Sequence, residues 1–407
     1  MPMRAGSRSL WVVSELYAPE LTSTGYFITR IAEHLARDHS SEVFALASQP
    51  TYAARGVQAP SAELLNGVEV RRFWSPALRK DTILGRVANL LVFTSLTAWR
   101  LLRQVSPDDI ILVVTNPPPL PYVAALVARL RHARLILLVH DMYPEVLLAG
   151  GMATQDSLIV RIMHRTSAWL YRTADCIVVL GRDMRRLVSA KLTSAEVQRI
   201  AIIPNWASLD EVRATSLKNR SPNGTFTVQH AGNMGRGHDV EILMRAAERL
   251  PHVDFVFVGN GAKREWIERA ILMRSLTNVR VTDYRPRAEL SESLGDCDIA
   301  AISFVAGMSG VSVPSRMYNV LAAGRPIIAV CEADSELALV VSEESVGWVV
   351  PPGDVDALIA AIDEASHCRA ELSTLGIRAR CVAESKYSQA VVMRAYDELV
   401  VSLENEH

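Results

Sequence analysis

The chain has 407 residues, 49% of them apolar, with 43 basic against 44 acidic side chains and a net charge of −1. That length exceeds one ordinary core and predicts two domains of roughly 200 residues each. A balanced charge excludes a polyanion binder, so no nucleic-acid partner is expected. The five cysteines (Cys176, Cys297, Cys331, Cys368 and Cys381) form no CxxC pair. Three of them fall in apolar strand-like runs, which predicts reduced thiols, with neither a disulfide frame nor a zinc site. The apolar run after the basic start MPMRAGSRSL is broken by Ser14 and Glu15, too soon for a signal peptide. No window reaches the ~20 apolar residues of a membrane span. A cytoplasmic protein is expected, soluble or lying on the inner face of the plasma membrane.

In chain order, Leu10–Leu16 reads as a buried strand, followed by a loop, Tyr17–Gly25, and a helix to about Asp38. VFALAS and VEVRRF are the next strands. Asp109–Asn116 and Arg134–Asp141 are near-continuous apolar runs, as parallel strands covered on both faces require. CIVVLG and RIAIIPN complete this half. Polar and turn-forming residues then gather between Ser208 and Gly224, and six more strand-like runs follow: FTVQHAG, VDFVFVGNG, NVRVTDY, DIAAISF, RPIIAV and GWVVPPG. This alternation predicts an α/β chain of two doubly wound domains. The expected divisions are 1–207, 208–385 and a tail, 386–407, whose helix packs back on the first domain. Ligands of such sheets bind beyond the carboxyl ends of the strands, so the cleft between the domains is where chemistry is sought.

The stretch Thr227–Glu241, TVQHAGNMGRGHDVE, runs from strand through a glycine-rich turn into a helix. Gly232, Gly235 and Gly237 suit close approach of a diphosphate, and the helix opening near His238–Asp239 would turn its unpaired N–H groups toward it. The same glycines serve plain turn chemistry equally well. A second helix start follows at Pro314 and Ser315 after the loop Gly307–Arg316, which includes Ser309 and Gly310. Arg316 sits in its first turn, against the helix dipole, where a ligand or an acidic partner, or a plain surface position in solvent, accounts for it. Arg236 and Arg316 together could hold a diphosphate without a metal. No DxD pair or ligand-spaced His/Asp cluster accompanies these loops, so neither metal nor cofactor is expected. On the other side of the cleft, His140, Asp141 and Glu145 are candidates for handling a hydroxyl proton. Helix capping near Pro144, or a structural histidine, accounts for them as well. Between Arg71 and Arg103 seven basic residues (Arg71, Arg72, Arg79, Lys80, Arg86, Arg100, Arg103) face one acidic, Asp81. The helix over Ile83–Arg103 fits a membrane interface or a core position.

Several segments in this order resemble the GT-B glycosyltransferases: ELYAPELTSTGYFITRIAEHLA, VVTNPPPLPYVAALVARL, VHDMYPEVL, HAGNMGRGHDVEILMRAAERL, VFVGNGAKR and VPSRMYNVLAAGRPIIA. The likeness is to the retaining family four, among bacterial exopolysaccharide and O-antigen enzymes of the fucosamine-transferase and colanic-acid type. The resemblance implies a GT-B fold of two Rossmann-like domains facing across a cleft. It implies transfer of a sugar from a nucleotide sugar to a glycan or polyprenyl-diphosphate-linked acceptor. Gly25, beside Thr24, would approach the donor phosphates from the acceptor side. Gly232, Gly235 and Gly259 would line the nucleotide, and Asp283–Arg285 would run past the base. The chain departs from the family where a diphosphate-clamping Arg and Lys are replaced by Asn233 and His238. It departs again where a Glu-x7-Glu pair is replaced by Val311 and Asn319. Asn319 can still reach a ribose hydroxyl. Two rivals stand: a nucleotide-sugar epimerase of the same fold and a catalytically silent binding partner. A nicotinamide dehydrogenase is disfavoured, because no strand ends in GxGxxG with an acid ~20 residues on.

Overall fold

The computed structural model describes residues 8–20, 22–39, 41–50, 57–74, 83–214 and 224–405, with the side chains of Ile83, Leu84, Arg86 and Val87 excluded. Arg79, Lys80, Asp81, the Arg86 side chain and most of the expected boundary at 208–224 lie outside the described residues.

The first sheet holds β1 (Ser9–Val13), β2 (Glu42–Ser48), β3 (Ala62–Leu65), β4 (Val68–Phe73), β5 (Ile110–Val114), β6 (Arg134–Val139), β7 (Cys176–Val179) and β8 (Ile200–Ile202). Their order is β3-β4-β2-β1-β5-β6-β7-β8, parallel throughout except at β3–β4. The second sheet holds β9 (Phe226–Ala231), β10 (Val253–Val258), β11 (Val279–Thr282), β12 (Ile299–Ser303), β13 (Ile327–Val330) and β14 (Gly347–Val350), in the order β11-β10-β9-β12-β13-β14. Every residue of β5 is buried, as the run IILVV demands of a strand with helices on both faces. The edge strand β3 was not expected. Asn66 and Gly67 both take positive φ (49° and 89°) and close a two-residue hairpin onto β4. The Asn-Gly pair between apolar runs was its one sequence signal.

Helices of the first domain are α1 (Ser23–Asp38), α2 (Ile83–Gln104), α3 (Leu120–Arg131), α4 (Glu145–Ala149), α5 (Leu158–Thr173) and α6 (Arg182–Ser189). Those that follow are α7 (Val240–Arg249), α8 (Arg264–Arg274), α9 (Leu290–Gly295), α10 (Arg316–Ala322), α11 (Glu336–Glu343), α12 (Val355–His367), α13 (Arg369–Lys386) and α14 (Gln389–Asn405). All five cysteines are free, and Cys176, Cys297 and Cys331 are buried as small hydrophobes.

The loops after β1 and β6 meet the loop after β12 across the cleft. Asp141 pairs with Ser312 in an isolated antiparallel bridge, and Met142 N–H donates to the Val311 carbonyl at 2.9 Å. The chain returns to the first domain at Tyr387, whose carbonyl accepts from Ala207 N–H at 2.7 Å. Beyond it, α14 lies on α1. Asp397 accepts from His34 Nε2 at 2.9 Å and from His39 Nε2 at 3.1 Å. Val392, Met393, Tyr396, Val400 and Leu403 bury the apolar stripe beside this junction. Replacing Asp397 with Ala leaves two imidazole donors without their acceptor. A loss of about 1 to 2 kcal/mol in urea denaturation is expected, with the slope unchanged. A shift under a few tenths would mean that the apolar stripe alone holds the helix.

Candidate active site

The glycine-rich turn after β9 is shaped by one cation. Gly232 takes φ 134°, and a Cβ there would lie 2.9 Å from the Arg316 guanidinium carbon. Gly259, at the end of β10, takes the same φ, and a Cβ on it would lie 2.2 Å from the Gly232 carbonyl oxygen. Both positions need glycine for backbone conformation and for space. Across this floor, Arg316 donates to His230 Nε2 at 3.0 Å, to His238 Nε2 at 3.1 Å and to the Asn233 carbonyl at 3.2 Å.

The protonation of that cluster follows from its donors. His238 Nδ1 faces the Ser303 carbonyl at 3.1 Å, and a carbonyl only accepts, so Nδ1 carries the proton and Nε2 is free to accept from Arg316. Burial, and then the neighbouring guanidinium, hold His238 down to about 3 and His230 well below the usual imidazole range. Burial also lowers Arg316 itself to about 10. Among the described residues no carboxylate is hydrogen-bonded to it. A guanidinium whose partners are two neutral rings and a carbonyl is a cation lacking a counter-ion, and a diphosphate would supply one.

Other expectations for this side are corrected. The start of α7 is closed by the Asp239 carboxylate, which accepts from Ile242 N–H at 3.0 Å and would repel an anion. α10 is only seven residues long, and the Ser315 hydroxyl meets Ser23 Oγ at 2.9 Å across the cleft instead of capping it. The anion-facing charge therefore resides in Arg316 and not in two helix dipoles. Arg236 is exposed, and its Cβ lies 3.9 Å from the point a Cβ on Gly150 of the first domain would occupy. It is not seated with Arg316. His238 holds the arginine, and Asn233 contributes its carbonyl, while its side-chain amide packs against Gly235. Asp283 pairs with Arg264, and Arg285 with Asp296 at 2.7 Å. Tyr284 between them covers Gly259, with its ring 3.0 Å from the Cβ position. Asn319 Oδ1 accepts from Ser208 N–H at 3.0 Å, so its carbonyl secures the passage between domains and is not offered to a ribose. Ser309 donates to Asp334 Oδ1 at 3.0 Å, and Gly310 N–H to Asp183 at 2.9 Å.

On the acceptor side, Thr24 Oγ1 lies 3.2 Å from His140 Nδ1, and His140 Nε2 is buried with no hydrogen-bond partner among the described residues. Burial holds His140 down to about 4, so the ring is neutral near pH 7. Burial raises the Asp141 carboxyl, with a Ser312 hydrogen bond opposing. Glu145 is corrected: its Oε1 accepts from Lys191 at 2.6 Å, which makes it half of an ion pair instead of a free acid–base group. Gly25 is required by the loop itself, since a Cβ there would lie 2.4 Å from the Glu20 carbonyl. His230 and Tyr284 entered the sequence reading only within the stretches Thr227–Glu241 and Asp283–Arg285, without a role of their own. Their only signal was position, at or just beyond a strand's carboxyl end.

Residues 24–206 match the family described as a glycosyl transferase 4-like domain, and residues 225–367 match glycosyl transferases group 1. WbjE of Pseudomonas aeruginosa, named as a glycosyltransferase, is 30% identical over 397 residues, covering 95% of this chain and 96% of its own. WcaI of Escherichia coli (strain K12), whose name ties it to colanic acid biosynthesis, is 25% identical over 86% of this chain and 90% of its own. The Anabaena Alr3699/HepE structure in complex with UDP and glucose superposes with a TM-score of 0.72 at 15% identity, over 97% of this chain and 100% of that one. The two parallel sheets, the cleft between them and both family matches agree: the chain belongs to the GT-B glycosyltransferases, with a glycosyl transferase 4-like half followed by a group 1 half.

Proposed function

We propose that the protein transfers a sugar, with retention at the anomeric carbon, from a nucleoside-diphosphate sugar to a lipid-linked glycan during synthesis of a cell-surface polysaccharide. The observation that carries this is the Arg316 guanidinium, poised over Gly232 with no carboxylate among the described residues bonded to it. A transferase of this kind must stabilise a departing diphosphate, and a preorganised cation does so most strongly where water is excluded. The departed sugar cation would be met on the same face by an acceptor hydroxyl guided by the leaving phosphate. His140, with its unpaired Nε2, and Asp141 border that approach and would orient the hydroxyl. Because Arg316 supplies the charge, the reading requires no divalent metal. The WcaI and HepE likenesses support a polysaccharide product and a UDP-sugar donor. An epimerase or a silent partner has no comparable support, since the replaced clamp positions are compensated by Arg316.

We also place the acceptor at a membrane surface. No described helix is long and apolar enough to cross a membrane. α2, α3 and α5 instead form neighbouring parts of one layer, and their sequences hold eight arginines and no acidic residue. α2 buries Phe93 and Leu101 against the core while exposing Leu91 and Trp99, so core packing and interface contact are served by opposite stripes of one helix. Leu126, Leu130, Ile159 and Ile162 extend the exposed apolar surface. Arginines beside exposed leucine and tryptophan suit an anionic interface, worth about 1 kcal/mol per basic residue near the surface.

UDP at 100 times its Kd should raise stability by about 2.7 kcal/mol in thermal denaturation. Arg316→Ala should abolish that shift and cut turnover at least 100-fold, while EDTA changes neither; undiminished binding in the variant would remove Arg316 from the site. The protein should float with phosphatidylglycerol vesicles in low salt and not with phosphatidylcholine. A Trp99→Ser, Ile159→Ser, Ile162→Ser variant should lose most of that binding. His140 and His238 are neutral in the fold down to about 4 and about 3, yet titrate near 6.5 when unfolded. The unfolded chain then binds more protons, so stability should be full above pH 7 and fall as pH drops toward 4. His140→Gln should flatten that slope.

A further inference from the structure

A buried pair of carboxylates crosses between the domains, and the chemistry above does not use it. α6 and α11 meet N-terminus to N-terminus. Asp183, in the first turn of α6 and 3% exposed, extends Oδ2 across the seam, where it accepts from the backbone N–H groups of Gly310 and Glu336, each at 2.9 Å. Glu336, in the first turn of α11, reciprocates. Its Oε2 accepts from the backbone N–H of Arg182 at 2.7 Å and from the Arg182 Nε at 3.0 Å. Each helix start is thus capped by a carboxylate belonging to the opposite helix. Two positive helix ends brought together would repel, and the exchanged carboxylates turn that contact into an attractive one.

The seam leaves no room for other side chains at two positions. A Cβ on Gly181 would lie 2.8 Å from both Asp183 Oδ1 and Glu336 Cβ, and one on Gly310 (φ 72°) would lie 2.7 Å from the Asp183 carbonyl. Gly310 belongs to the segment that leads from β12 to Arg316. That segment touches the donor turn on its other side: Val305 N–H donates to the Gly237 carbonyl at 3.1 Å, and the Met308 methyl would lie 3.3 Å from a Cβ on Gly237. One loop therefore contacts the glycine turn at one end and Asp183 of the first domain at the other.

We propose that Asp183 and Glu336 are positioning residues that couple occupancy of the donor turn to closure of the two domains. The donor's identity rests on the transferase reading; the seam does not. With the loop settled, Gly310 N–H and Glu336 N–H present themselves to Asp183 together. With the loop displaced, Asp183 loses one of the two backbone donors it accepts from across the seam.

Hydrogen exchange on the full-length protein, with and without saturating UDP, tests this. In the wild type, UDP should slow exchange at Gly310 and Glu336 and, across the seam, at Arg182, each by about tenfold. In Asp183→Ala, UDP should still protect the Gly232–Gly237 turn with its Kd changed no more than about twofold, while the effect at Arg182 disappears. Asp183→Asn, which keeps the volume and one acceptor oxygen, should restore part of it and serves if the alanine variant does not fold. Glu336→Gln should weaken the same coupling from the other side. Protection of Arg182 by UDP in Asp183→Ala equal to that in the wild type, or none in the wild type despite UDP binding, would overturn the proposal. Absence of any UDP binding by the wild type would instead sink the donor assignment. The seam would then be judged on the unliganded protein, where unchanged exchange at Gly310 and Arg182 in Asp183→Ala refutes it.

Discussion

A guanidinium held, among the described residues, without a counter-ion is the constraint around which the second domain is arranged. Removing a cation from water costs several kcal/mol unless its donors are satisfied. Here two imidazole nitrogens and one carbonyl satisfy them without neutralising the charge. That choice of partners dictates much else. His238 must carry its proton on Nδ1, so it needs the Ser303 carbonyl at the end of β12. Gly232 and Gly259 must be glycine, because the guanidinium and the next strand end lie directly above their Cα atoms. Neutral partners leave the charge available to a ligand, whereas a carboxylate would have consumed it.

The first domain reaches this cation only through closure. Ser23 to Ser315, the Asp141–Ser312 bridge, Met142 to Val311 and the exchanged caps of Asp183 and Glu336 are the polar stitches of the cleft, and all but the last lie within five residues of Arg316. Exposed pairs at the rim, such as Arg186 with Asp334, add little to such a seam because solvent screens them. The buried stitches matter more, since a displaced loop would leave N–H groups and carboxylates unpaired. Substrate side and closure side are thus joined in one short segment, 304–316.

The fold was legible to a large degree because its cause is local. Apolar runs such as IILVV, bounded by turns and alternating with helical stretches, announce parallel strands wherever they occur. The missed strand, β3, has the weaker signature of an edge: AELL alternates exposed and half-buried residues, and only the Asn-Gly turn betrays its pairing. The site was legible in outline. Gly232, Gly259, Arg316, His140 and Asp141 could be singled out because strand ends in this topology point at a common cleft. Roles within it were not. Glu145 was read as an acid and is bound to Lys191, 46 residues away in sequence. Asn319 was read as a ribose ligand and holds Ser208. Partners at such separations leave no periodic or spacing signal.

What the sequence by itself determined is the set of elements and their type, since hydrophobic period and turn chemistry act over a few residues. It also determined that the usual clamp residues are absent at 233 and 238. Only the tertiary structure decided which arginine is enclosed beside those positions. Arg316, and not Arg236, is enclosed by His230, Gly232 and His238; these three lie on β9 and the turn after it, while Arg316 comes from the start of α10, 86 residues from His230 and 78 from His238. Enclosure, and with it desolvation, is a property of the packed cleft: it raises the strength of Arg316 at the start of α10 and leaves Arg236, exposed on the turn after β9, in water.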